Sequence, residues 1–178
     1  YEFAKGVESG YESIAALKDK VREDIRKHKE ADARIKHEEG VVEELVGRAT
    51  VEVSPMLVDR EAQHILEDEE DTLKRQRVTV DQYLAAVGRS QDEHQEEARK
   101  EAMDRIVRVY ALNKVAELEG ITATDAEVDE EIDRLVEGSG GQEKRMHRNL
   151  NEPDSRASLA NVLARRKAIE RLTAIAKG

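Results

Sequence analysis

Histidines and acidic residues are the groups of this chain that could bind a metal ion or transfer a proton. The five histidines are scattered along the sequence, at His28, His37, His64, His94 and His147. None of them lies in a His-Glu-x-x-His pattern, which places two imidazoles on one helical face for zinc. The pair His94 and Glu97 contains only half of that pattern and arises easily by chance on a polar helix. We therefore expect no metal site at the histidines.

The carboxylates do not single out a catalytic pair either, because 40 of the 178 residues are Asp or Glu and close pairs are expected by chance. The acidic run at residues 67–71 lacks the Asp-x-Asp-x-Asp-Gly spacing of a calcium loop. Basic residues follow it at i,i+4 spacing, which is typical of a solvated helix. Cysteine is absent, the serines fall in caps or loops, and no glycine-rich segment follows a strand. We expect no catalytic residue, no metal and no cofactor.

The composition limits the class of protein to one with a thin core. Apolar residues make up 38%, charged residues 39% and aromatic residues 3% of the chain, which suits long helices packed by small aliphatic side chains. The net charge of −10 argues against nucleic acid, whose binding depends on Lys and Arg that neutralise phosphates. It also argues against an anionic membrane. The longest apolar run has five residues (YLAAV), far too few to span a bilayer.

Start and stop signals divide the chain into helices. Capping boxes, in which a hydroxyl and a side chain three residues later satisfy each other's backbone amides, begin at Thr79, Ser90 and Thr124. Ser54 followed by Pro55 predicts another helix start. Glycine predicts helix ends at Gly88 and Gly120, and further breaks fall at residues 138–141 (GSGG) and 151–153 (NEP). The sequence therefore predicts an all-α fold with almost no strand.

A long first helix is predicted over residues 13–48. Ile14, Val21, His28, Ile35 and Val42 recur every seven residues along it, which predicts a narrow seam for a partner helix. This seam leaves open an alternative function, a helical scaffold or dimeric coiled-coil adaptor with one fixed partner. Against the adaptor, the heptads stop before Thr50 and several short helices follow.

Two later helices carry most of the remaining apolar residues. In the helix that starts at Ser90, residues 91–100 are polar on every face and are expected to stand in water. Residues 106–118 are apolar almost all round and are expected to be covered. The last helix is predicted over residues 154–176, with five aliphatic residues facing inward: Leu159, Val162, Ile169, Leu172 and Ile175.

Four blocks of sequence, in this order, resemble the C-terminal domain of bacterial trigger factor, the ribosome-associated folding chaperone. They are EFAK at residues 2–5, VEVSPMLVDRE at 51–61, DQYL at 81–84 and GITATDAEV at 120–128. The resemblance implies an elongated helical body with projecting helical arms. It also implies that residues 1–12 are a linker from a missing upstream isomerase domain and that residues 13–178 form the chaperone domain. The first residue, Tyr rather than Met, agrees with a fragment.

The resemblance implies an ATP-independent, cytoplasmic chaperone domain that binds unfolded or nascent polypeptides through apolar surfaces of its arms. Peptidyl-prolyl isomerase activity would belong to the full-length protein, and ribosome contact to a missing N-terminal domain. We expect no nucleic acid, membrane or cofactor as a partner, and possible self-association where the missing segments leave a groove. The expected polypeptide-binding residues are Met56, Leu57, Leu84, Val87, Met103, Val107, Tyr110, Leu135, Met146 and Leu150. The helical module of periplasmic chaperones is a further alternative, disfavoured because no export signal is seen.

Overall fold

The computed structural model describes residues 14–137 and 142–177 of the chain, and every regular element in those ranges is an α-helix. The helices are α1 (Ile14–Arg48), α2 (Pro55–Arg75), α3 (Val80–Val87), α4 (Gln91–Leu118), α5 (Asp125–Glu137), α6 (Glu143–Leu150) and α7 (Pro153–Ala176). The all-α fold and the long first helix are thereby confirmed. The proposed linker at residues 1–12 and the break at residues 138–141 lie outside the described residues. None of the described helices is both long enough and apolar enough to cross a bilayer.

The chain divides into two compact units, Tyr1–Val41 and Val42–Gly178. In the first unit, the described residues belong to α1 alone. Its seam is half-exposed there, with 46% of Val21, 50% of Ile25 and 53% of Ile35 open to solvent. Local ion pairs such as Lys27 with Glu23, at 2.8 Å, support the helix, although solvent screens each of them. This part of α1 is stabilised mainly along its own length.

In the second unit, the capping boxes fix where helices begin. At the start of α4, Ser90 N donates to Glu93 Oε2 at 2.9 Å, and Glu93 N donates to Ser90 Oγ at 3.2 Å. The donors of Ser90 lower the pKa of the Glu93 carboxyl below its ordinary value. Thr79 with Gln82 and Thr124 with Glu127 form the same reciprocal pairs. All three predicted capping boxes are confirmed.

The end of α4 has the geometry that its glycine predicts. Gly120 has a φ of 64°, the left-handed conformation that a residue without a Cβ adopts at little cost. The turn is a Schellman motif, because Ile121 N donates to the carbonyl of Ala116 at 2.8 Å and Gly120 N donates to that of Glu117 at 3.2 Å. The end of α2 has the same pair of hydrogen bonds, but its left-handed residue is Arg77, with a φ of 61°. A side chain therefore occupies a position that favours glycine.

Small side chains hold α2 and α4 together. Ala62 and Ile65 from α2 pack with Ala98 and Ala102 from α4, and Val58 and Leu66 lie against this cluster. These four α2 residues form the inward face of that helix. Alanine at three of the four buried positions lets the two helices approach closely.

The early part of α4 does not stand entirely in water, contrary to the expectation for residues 91–100. Ala98 is only 4% exposed and packs against α2. The side chain of His94 is 13% exposed, and its Nε2 lies 3.2 Å from Glu69 Oε2 on α2. An ion pair between Arg99 and Asp59, with Nε and Oδ1 3.0 Å apart, crosses the same interface. Polar residues on this segment therefore pair with α2, and one small residue suffices to anchor it.

A second core joins α5, α6 and α7. Val128 and Ile132 from α5 pack with Leu163 from α7, and Leu150 at the end of α6 lies against them. Val128 and Ile132, four residues apart, thus form the buried face of α5. Polar contacts tie α4 to α7, including Arg171 Nε to Glu119 Oε2 at 2.9 Å.

The inward face of α7 differs in part from the prediction. Val162 is 40% and Ile175 is 53% exposed, so two of the five expected inward residues face solvent. Leu163, Ala168 and Thr173 are the buried residues of this helix. Thr173 can be buried because its hydroxyl donates to the carbonyl of Ile169 at 2.7 Å. Placing every branched aliphatic residue inward was wrong because small and polar side chains fill part of the face.

Candidate functional site

The second half of α4 exposes one apolar side. Ile106, Ala111, Leu112 and Ala116 are each at most 8% exposed, whereas Tyr110 is 50% and Leu118 is 74% exposed. The expectation that residues 106–118 are covered all round is therefore wrong. The helix packs on one side only, because its neighbours in this unit do not surround it. An exposed aromatic and an exposed leucine on one helix are the starting point for a binding surface.

An apolar groove of about 650 Å³ lies against this exposed side. Leu45 at the end of α1, with Ala49 and Val51 in the segment after it, lines one wall, and Tyr110, Val115 and Leu118 of α4 line the other. The segment between α1 and α2 is not helical, in keeping with its β-branched residues and with Pro55, which disfavours a helical conformation for the preceding residue. This irregular backbone lets the segment run alongside α4 as a wall of the groove. We call this site the α4 groove.

Charges at the α4 groove are already paired. Lys114 Nζ lies 2.7 Å from Glu117 Oε1, and both residues line the groove. The side chains of this pair are more than half exposed, so solvent screens their attraction and the pair contributes little to stability. A ligand of the α4 groove would therefore meet aliphatic and aromatic carbon beside a neutralised pair. That surface suits apolar segments of variable sequence.

The structure places the ten expected polypeptide-binding residues in three different environments. Five are exposed by 36% or more, namely Met56, Leu57, Val87, Met103 and Tyr110. Four are partly buried, namely Val107, Leu135, Met146 and Leu150. Leu84 is only 3% exposed because it is the inward residue of the short helix α3, so it packs the core and offers no surface to a ligand. Of the ten, only Tyr110 lines the α4 groove.

Sequence reasoning missed Leu118, the most exposed of the large apolar residues that line the α4 groove. The spacing of Leu118 from the buried residues of α4 could have indicated that it is exposed. Leu118 is two positions beyond Ala116, which on an α-helix is about 200° around the axis. Leu45, Ala49 and Val51 had no comparable signal, because nothing local indicates that a segment some 60 residues earlier lies against α4.

The described residues contain no group of three or more His, Asp or Glu side chains that could hold a metal ion. His94 and Glu97, the one partial motif, have other partners. His94 pairs with Glu69, and Glu97 pairs with Arg89. These side chains act as links between and along helices, so the geometry offers contacts rather than acid–base chemistry.

Comparison with known proteins gives a consistent result. The family model described as the bacterial trigger factor protein C-terminus matches residues 13–174. Trigger factor of Carboxydothermus hydrogenoformans is 39% identical over 136 residues, which cover 76% of this chain and 32% of that relative. Trigger factor of Thermomicrobium roseum is 34% identical over 171 residues, which cover 96% of this chain and 34% of that relative. The chain thus spans about a third of the length of these two relatives.

A solved structure shares the fold. It comes from work on promiscuous substrate recognition in the folding and assembly activities of the trigger factor chaperone. The match has a TM-score of 0.56 and 23% identity, and covers 97% of this chain and 41% of the other.

Proposed function

This chain belongs to the family of bacterial trigger factor C-termini, and on that basis we propose that it is a substrate-binding chaperone domain. It binds exposed apolar segments of unfolded or nascent polypeptides and releases them without chemistry. No nucleotide-binding motif is needed for this, so the cycle is independent of ATP. The observation that carries the proposal is the α4 groove. It is an apolar concave surface, and two exposed side chains, Tyr110 and Leu118, line it.

Weak contacts explain how one surface accepts many sequences. Burial of apolar area contributes about 25 cal/mol per Å², so covering one half-exposed side chain contributes about 1–2 kcal/mol. A client segment that touches a few such side chains is held reversibly, and no single contact decides which sequence binds. The charged residues around the α4 groove, including Lys114 and Glu117, keep the surface hydrated when no client is bound.

The wider setting follows from the family. In the whole protein, ribosome contact and peptidyl-prolyl isomerase activity would come from domains that precede this one, and the site of action would be the cytoplasm. Within this chain, the five exposed expected residues, Met56, Leu57, Val87, Met103 and Tyr110, would extend the client-binding surface beyond the α4 groove.

A test compares variants of two exposed apolar surfaces. The double variant Tyr110→Gln with Leu118→Gln removes the apolar side of the α4 groove, and Val162→Gln with Ile175→Gln removes two exposed apolar residues from α7. Each variant is added to an unfolded protein that aggregates on dilution, and light scattering is followed. We expect the first variant to need about tenfold more protein for the same suppression and the second to match the unchanged chain. Equal suppression by both variants would count against the α4 groove.

A fixed-partner adaptor is the second candidate function, and one observation favours it. The seam of α1 is half-exposed at Val21, Ile25 and Ile35, as a coiled-coil partner would require. Titration against several unrelated unfolded polypeptides separates the two functions. A chaperone domain binds many of them weakly, whereas an adaptor binds none of them and keeps one tight partner.

A further inference from the structure

Helix α6 has a positive formal charge in this acidic chain. Its eight residues contain one glutamate against Lys144, Arg145 and Arg148, a formal charge of +2 in a protein whose net charge is −10. All three cationic side chains are on exposed residues. A local positive surface on an acidic protein is available to a negatively charged ligand that the rest of the surface repels.

The three cations have no ion-pair partner within the part of the chain that the structure describes. The neighbouring helix α7 shows the contrast. Each of its five basic residues has an acidic or amide partner: Arg156 with Asp129, Arg165 with Asn113, Arg166 with Glu131, Lys167 with Glu127 and Arg171 with Glu119. The cations of α7 are used in packing, whereas those of α6 form no ion pair with any residue that the structure describes.

Arg145 also lines a groove of about 570 Å³ along α6. The other lining residues are Gln142, Met146, Asn149 and Leu150, which share one helical face at i, i+4, i+7 and i+8 spacing. Leu150 is fixed by the second core, against Val128 and Ile132, so α6 is held in place. The groove therefore combines a guanidinium, two amides and two apolar side chains on an anchored helix.

This combination fits an acidic peptide segment. A guanidinium binds a carboxylate through two parallel hydrogen bonds, which a lysine cannot reproduce. The amides of Gln142 and Asn149 can each donate to and accept from the backbone of an extended chain. Met146 is flexible and polarisable, so it accommodates apolar residues of different shape next to the carboxylate.

We propose that α6 is a second docking site, which recruits acidic segments of client polypeptides through Lys144, Arg145 and Arg148 and seats an adjacent apolar residue on Met146. The inference rests on the proposed chaperone function and adds a client preference to it. Nucleic acid is the poorer occupant because it would carry a long run of phosphates toward a chain of net charge −10.

The experiment uses the whole 178-residue chain and three fluorescent peptides with the same apolar residues. The residues flanking them are glutamate, glutamine or lysine. Lys144→Gln, Arg145→Gln and Arg148→Gln are combined in one variant. The matched control combines Arg60→Gln, Arg75→Gln and Lys100→Gln, which removes the same three charges from exposed residues of α2 and α4 that have no ion pair among the described residues. Circular dichroism confirms that both variants are folded.

We expect the glutamate peptide to bind the unchanged chain more tightly than the glutamine peptide. The α6 variant should weaken glutamate-peptide binding about fivefold or more, because three exposed ion pairs with the peptide are lost, and the control variant less than about twofold. Equal losses in the two variants would overturn the inference, because net charge alone would then explain the binding. Tighter binding of a single-stranded RNA than of the glutamate peptide at the same site would also overturn it. If the proposed chaperone function itself is wrong, the result differs: the glutamine peptide then binds neither the unchanged chain nor either variant.

Discussion

Lys167 on α7 donates to both carboxylate oxygens of Glu127 on α5, at 2.7 Å and 3.0 Å from Nζ. The same carboxylate accepts from Thr124 N at 2.7 Å and so closes the capping box of α5. Lys167 also donates to the carbonyl of Thr122 at 2.9 Å. These donors, with Lys167 as the largest cause, lower the pKa of Glu127 from 4.5 to about 2. One carboxylate thus fixes both the start of α5 and its contact with α7.

This depressed pKa predicts a specific pH dependence of stability. A carboxyl whose pKa is lower in the folded chain stabilises it above the unfolded value of 4.5, and the contribution is lost as the pH falls toward about 2. We expect Glu127→Gln to lower the urea midpoint at pH 7 and to differ much less from the unchanged chain near pH 2. Circular dichroism in urea at several pH values measures this. Glu130→Gln, on an exposed neighbour without an ion pair among the described residues, is the control, and a Glu127→Gln deficit independent of pH would contradict the prediction.

Glycine should be more stable than any other residue at both left-handed helix ends, Arg77 and Gly120. A side chain in the left-handed conformation costs about 1–2 kcal/mol, and glycine costs about 0.5–1 kcal/mol in unfolded-chain entropy. We therefore expect Arg77→Gly to stabilise the chain by about 0.5–1 kcal/mol and Gly120→Ala to destabilise it by about 1 kcal/mol. A Cβ on Gly120 would meet no atom within 4 Å, so the cost comes from the backbone alone. Thermal unfolding of both variants is the measurement, and changes of the same sign would refute the explanation.

Leu84 and Met56 predict a clear separation between packing and surface residues. Leu84 is 3% exposed and Met56 is 79% exposed. We expect Leu84→Ala to cost about 2–4 kcal/mol and Met56→Ala less than about 0.5 kcal/mol. Chemical denaturation gives both values. If Met56→Ala impaired suppression of aggregation at unchanged stability, Met56 would be part of the client-binding surface, whereas a large stability loss would assign it to packing.

The chain should bind proline-containing peptides without isomerising them. The proposed function rests on apolar contacts such as those of Tyr110 and Leu118, which supply no group that would twist a prolyl bond. A protease-coupled assay of a proline peptide, with and without the chain at concentrations that suppress aggregation, measures the rate. If the purified chain clearly accelerated prolyl isomerisation, the prediction would be contradicted and a catalytic site would be required.

The helix boundaries could be predicted from sequence because their determinants are local. Ser90 with Glu93 and the Gly120 turn act within a few residues, and the structure confirms both. The all-α fold follows from these start and stop signals. Arg77 was not predictable in the same way, because its left-handed conformation is imposed by the turn and not indicated by its residue type.

The candidate site could be predicted only in part, for a physical reason. Residues 106–118 are apolar on nearly every side, so their sequence cannot indicate which side a neighbour covers. Ala98 and Ala102 likewise do not indicate from sequence that they are buried, since alanine is common both in tight helix contacts and on helix surfaces. The sequence predicts Tyr110 as a binding residue, but the structure was needed to show that Leu45 and Val51, from a distant segment, line the same groove.

The reciprocal bonds at Thr79, Ser90 and Thr124 have a kinetic consequence. Each closes within four residues, on the time scale of helix formation, about 0.1–1 μs, and so before distant helices have met. The hydrogen bonds that begin α3, α4 and α5 can therefore form while the rest of the chain is still being synthesised.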